Sequence, residues 1–79
     1  MILESNIQAK IIKRLQQKGW YVIKLIQTNK NGIPDLIALK NGLAIFIEVK
    51  SEKGKVSELQ KLRHEELQKQ GFKVLILNK

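Results

Sequence analysis

A chain of 79 residues is expected to form a single domain, 1–79, around a small core, and with no cysteine it has no disulfide to add to that core. A metal or a partner chain could make up the difference, and association with a second chain is the leading candidate. Fifteen Lys and Arg against seven Asp and Glu give a formal charge of +8, which favours a polyanionic partner, although a charged surface also serves simple solubility. No apolar run approaches the ~20 residues of a bilayer span, and Met1-Ile2-Leu3-Glu4 lacks the pattern of a secretory signal, so a membrane is excluded and a cytoplasmic location is expected.

Ile7, Ile11 and Leu15 recur at helical spacing from about Glu4 to Lys18, with Gly19 where a C-terminal cap belongs. Helical stepping places Glu4 near the middle of that stripe, with Gln8 one turn on. Glu4 is expected to face inward, the alternative being an acid that merely complements the helix dipole from solvent. Trp20 to Ile26, aromatic and β-branched, predicts a strand, and Gln27 to Gly32 a polar loop. Pro34 suits a strand entrance.

Asp35 to Lys40 and Leu43 to Lys50 flank Asn41-Gly42, a dipeptide that favours positive φ at both central positions of a two-residue turn. A hairpin with that turn pairs Lys40 with Leu43 and sets Asp35 opposite Glu48. Cross-strand partners have Cβ atoms ~5 Å apart, so two carboxylates converge where a divalent cation would relieve their repulsion. Alternation turns Leu43, Ile45, Ile47 and Val49 to one face and Ala44, Phe46, Glu48 and Lys50 to the other. Lys50 therefore joins the carboxylates, and two oxygen ligands with an ammonium that holds a water are the parts of metal-assisted phosphodiester attack.

Ser51 to Lys55 reads as a basic loop. Ser57 and Gln60 form a capping box for a second helix ending near Gly71, with Leu59, Leu62 and Leu67 as its apolar positions. Phe72 to Leu77 is a last strand, giving an α/β fold in the order α-β-β-β-α-β. Helical stepping from Leu59 turns His64 to solvent, which argues against histidine chemistry and zinc. Trp20, Tyr21, Phe46 and Phe72 read as packing residues. No glycine-rich phosphate loop or other sign of an organic cofactor occurs. Lys10, Lys13, Lys30, Lys53 and Lys55 are candidate phosphate contacts, the last three because their loops flank Asp35 and Lys50.

In order and spacing, Glu4, Gln8, Gly32-Ile33-Pro34-Asp35, Glu48-Val49-Lys50 and Ser57-Glu58-Leu59-Gln60 resemble the VRR-NUC branch of the PD-(D/E)xK nucleases. The likeness covers almost the whole chain and points to a stand-alone module of phages and bacteria. It implies a restriction-endonuclease-like mixed sheet flanked by helices. In the site it implies Asp35, Glu48 and the Val49 carbonyl binding Mg²⁺ or Mn²⁺, with Glu4 completing the acidic cluster and Gln8 beside it facing DNA. Lys50 would position the attacking water. Gln60 matches the family's helical glutamine beside the lysine, and a capping role explains it equally well, one role excluding the other. The activity implied is a homodimeric DNA endonuclease acting on branched structures such as four-way junctions, in a bacterial cell or phage-infected host. The competing expectations are a non-catalytic nucleic-acid-binding module of the same fold, or a regulatory partner of a larger machine.

Overall fold

The computed structural model describes residues 3–79. Its elements are α1 (Glu4–Gln17), β1 (Tyr21–Lys24), β2 (Leu36–Lys40), β3 (Leu43–Val49), α2 (Glu58–Lys69) and β4 (Lys73–Leu77), in the expected order. They build one four-stranded sheet with spatial order β1-β2-β3-β4. The first two pairings are antiparallel, and β4 adds parallel to β3. The parallel pair demands a crossover, and α2 supplies it.

The hairpin turn is as the sequence dictates. Asn41 and Gly42 have φ of 51° and 81°, the combination that Asn-Gly tolerates at little steric cost. Lys40 pairs with Leu43 and Leu36 with Ile47, so the register carries on to set Asp35 against Glu48. Several boundaries are tighter than expected. β1 stops at Lys24, leaving Ile26 86% exposed. β2 begins one residue after Asp35, and β3 ends one before Lys50. Both chemically important residues therefore lie at the ends of strands.

One face of the sheet carries the core. Ile7 and Ile11 of α1 meet Leu36, Ala38, Ile47 and Val49, with Leu15, Trp20, Val22, Leu75 and Leu77 packed around them. This is the helical stripe closing over the alternating face of β3. Both helices end with paired backbone bonds, Trp20 N–H to the Leu15 carbonyl and Phe72 N–H to the Leu67 carbonyl, which stop the chain where Gly19 and Gly71 stand.

The second face is covered differently. The expected apolar face of α2 is not the one that docks: Leu59 and Leu62 are 42% and 47% exposed, and Leu67 is only half-buried. The docked residues are Gln60, Arg63, His64 and Leu67, and His64 is the buried residue of the helix. His64 thus lies inside, not in solvent. Leu62 steps to the opposite side of the helix, so a leucine count misplaces the stripe. The aromatic residues divide as well. Phe46 and Phe72 pack edge to face at 5.9 Å, and Lys40 Nζ stands 5.8 Å from the Trp20 ring. Tyr21, at 70% exposure, is a surface residue.

Candidate active site

The site forms where β2 starts and β3 ends. Pro34 is fully buried and brings Asp35 to the mouth of β2. The side chain of Asp35 stands in for the strand: its Oδ2 accepts the Val49 N–H at 2.7 Å. On the far side of β3, Lys50 N–H donates to the Leu77 carbonyl at 2.9 Å, so the backbone carrying Glu48, Val49 and Lys50 is fixed from both neighbours.

Glu48 is the centre of the arrangement. It is 1% exposed, and four side chains approach its carboxyl group. Oε1 lies 3.3 Å from His64 Nε2. Oε2 takes Gln60 Nε2 at 3.4 Å and has Lys50 Nζ at 3.8 Å. Asp35 is the fourth neighbour, within hydrogen-bonding reach. Burial, that hydrogen bond and the Asp35 charge push the Glu48 pKa up to about 8, against the pull of Lys50, with a small further push from Glu4. The carboxylate pair expected from the hairpin register is therefore present, and it is electrostatically uncomfortable. Burial, and then the Lys50 charge, hold His64 below its ordinary value, so its contact with Glu48 is a hydrogen bond between a neutral ring and a carboxyl group.

Gln60 makes the capping contact and a contact with Glu48 at the same time. Its Oε1 accepts the Ser57 N–H at 2.9 Å while Ser57 Oγ accepts the Gln60 N–H at 3.1 Å, a complete capping box. The amide's other end remains free to reach Glu48. A carboxamide carries an acceptor and a donor group, so one role does not exclude the other.

Other expected residues stand further out. Glu4 is exposed at the start of α1, beside the 51–54 loop; a side chain added at Gly54 would meet Glu4 Oε2 and Ser51 Oγ at 3.1 Å each. Among the described residues no three His, Asp or Glu side chains converge closely enough to cage a metal by themselves. Gln8 is half-buried one turn along α1, and Lys30, Lys53 and Lys55 are exposed. Lys53 joins Glu4, Lys10, Arg14 and Ser51 around an open groove of about 1060 Å³ that neither Asp35 nor Glu48 lines.

The donor set suits a small hard cation. Mg²⁺ keeps several waters and asks the protein for only one or two carboxylates, and Asp35 with Glu48 meets that need without a third acid. A divalent charge between them would also remove the repulsion that raises the Glu48 pKa.

Sequence reasoning missed His64 and the reason for Gly32. The signal for His64 was its spacing: Gln60 and His64 are four apart and share a helix face, so a glutamine that reaches Glu48 brings the histidine with it. Gly32, at φ 83°, lies so close to α2 that an added Cβ would come within 2.8 Å of Leu59 Cγ. Arg63 Nε closes the same contact by donating to the Asn31 carbonyl at 2.8 Å.

Residues 2–78 match the family model described as the VRR-NUC domain. The chain belongs to the VRR-NUC domain family. A solved structure described as a VRR_NUC domain superposes with a TM-score of 0.85 at 32% identity, covering 96% of this chain and 84% of that one. Protein p44 of Acyrthosiphon pisum secondary endosymbiont phage 1, provisionally named a nuclease, is 30% identical over 79 residues, 99% of this chain and 85% of its own length. Two proteins named crossover junction endodeoxyribonuclease Hjc are similar over 52 residues, at 44% identity in Sulfurisphaera tokodaii and 38% in Sulfolobus acidocaldarius. The VRR-NUC chain matches 36% of the length of each, through 62% of its own.

Proposed function

We propose that this VRR-NUC domain is a DNA endonuclease that hydrolyses phosphodiester bonds with Mg²⁺ or Mn²⁺, and that it works as a homodimer on branched DNA such as four-way junctions. The observation that carries the reading is the convergence of Asp35, buried Glu48 and Lys50 at one end of the hairpin. When bound, the cation supplies Lewis acidity at the phosphoryl oxygen and lowers the pKa of a coordinated water. Asp35, Glu48 and the Val49 carbonyl would hold it, with Glu4 reached through the outer waters.

Lys50 is the group that acts on the nucleophile. Its ammonium, 3.8 Å from Glu48, orients a water for attack on phosphorus; the water oxygen bonds to phosphorus and gives up a proton to solvent as the opposite P–O bond breaks, and the leaving strand's oxygen takes up a proton from solvent. Gln60 keeps Glu48 in place. Lys30 and Lys55, both exposed, and Lys10 and Lys53, which share a groove with Glu4 and Glu52, are the basic side chains available to phosphates. Support for branched DNA and a dimer comes from the Hjc names and from apolar side chains left open on the α2 side of the sheet: Tyr21, Ile23, Phe72 and Ile76.

Lys50→Ala decides between a nuclease and a binding module. Cleavage of labelled duplex, flap and four-way DNA with Mg²⁺ or Mn²⁺ should fall at least about 100-fold, while binding measured without metal changes little. Wild-type protein that cuts none of these substrates, or a variant that cuts as fast as wild type, rejects the hydrolytic reading.

A further inference from the structure

Among the described residues two polar side chains are classed as buried, Glu48 and His64, and they touch each other. Burying either without a partner is costly, so their contact is a condition of α2 docking. The helix brings no buried apolar residue of its own. What it brings is a pair of nitrogens one turn apart, one for each oxygen of a single carboxyl group: Gln60 Nε2 on Oε2 and His64 Nε2 on Oε1. A carboxyl group held at both oxygens can neither rotate about its last bond nor withdraw from the cleft.

We propose that His64 is a positioning residue for the cation site, with its Nε2–H holding Glu48 Oε1 so that the carboxylate meets the ion in one fixed orientation. This rests on the metal-dependent reading above. The His64 side chain is 8% exposed and its Nε2 is taken up by Glu48, which leaves little of it for substrate to reach. Its effect is exerted through Glu48, as with residues that orient a ligating carboxylate from behind, whose loss typically weakens metal affinity or activity by ~10–100-fold.

The test measures Mn²⁺ binding to the whole chain by electron paramagnetic resonance, alongside melting curves. His64→Leu keeps the volume and removes the donor; its Mn²⁺ dissociation constant, measured on the folded variant well below its own melting temperature, should rise at least about tenfold. His64→Gln restores an N–H at similar reach and should lie within about threefold of wild type. Cleavage by His64→Leu should recover toward the wild-type rate as Mn²⁺ is raised, a shift in metal requirement and not in maximal rate. In Mg²⁺-saturated wild type, imidazole ¹⁵N spectra should place the ring proton on Nε2. Leu binding Mn²⁺ within twofold of wild type, Gln binding as weakly as Leu, or a proton on Nδ1 each overturns the assignment. Wild type that fails to bind Mn²⁺ overturns the metal reading itself and this inference with it, so the two failures are distinguishable.

Discussion

Glu48 makes the metal-free protein sensitive to alkali. In the fold its carboxyl keeps a proton up to about pH 8, while in the unfolded chain it ionises near 4.5. Between those values the folded state binds more protons, so this group lowers stability as pH rises through the window, with the full loss present above it. Glu48→Gln carries no titrating proton. Its stability relative to wild type should be similar below about pH 4.5 and should grow to a gain on the order of a few kcal/mol above pH 8 without metal. Urea titrations of both proteins across that range measure it, and a constant difference contradicts the argument. Saturating Mg²⁺ should flatten the wild-type dependence, because the cation takes the place of the proton. Asp35, Glu48 and Lys50 were legible in the sequence because a two-residue turn leaves one register and alternation then assigns faces. His64 was not, because a histidine carries no hydropathy signal of its own and the leucines beside it suggested another face.

At the scale of elements, α2 and the loop before Asp35 are one assembly. Leu59 fills the space where Gly32 lacks a side chain, and Arg63 holds the Asn31 carbonyl. Gly32→Ala would need a positive φ and would press its methyl group into Leu59. A loss of about 2–4 kcal/mol is expected from these two costs together. Thermal melts should register that loss, and cleavage measured well below the melting temperature should also fall, since Asp35 follows three residues later. Normal cleavage in a destabilised Gly32→Ala protein would mean that the loop does not set the carboxylate. The helices, the hairpin and the capping box could be read from local rules, since each depends on residues a few positions apart. Strand ends could not. Where β2 gives way to Asp35 depends on Val49, fourteen residues on, choosing a side chain over a backbone acceptor.

At the scale of the whole molecule, the sheet is finished on one side only. α1 seals its face with the six-residue core, whereas α2 leaves Tyr21, Ile23, Phe72 and Ile76 between 41% and 70% exposed on the other. If a second copy covers that surface, Ile23→Glu should convert the dimer to a folded monomer in light scattering, with circular dichroism unchanged. A dimer that survives the change uses another surface. The same asymmetry governs how the molecule opens. α2 is attached through the Glu48 carboxyl group, a capped first turn and partial contacts, not through a sealed interface. Amide hydrogens of Leu62 to Leu67 should therefore exchange with solvent deuterium faster than those of Ile11 to Leu15, through excursions that lift the helix while the α1 layer stays closed. Mg²⁺, by fixing the carboxylate that anchors the helix, should slow exchange in α2 more than in α1, so that a helix on the back of the site reports whether the ion is in place.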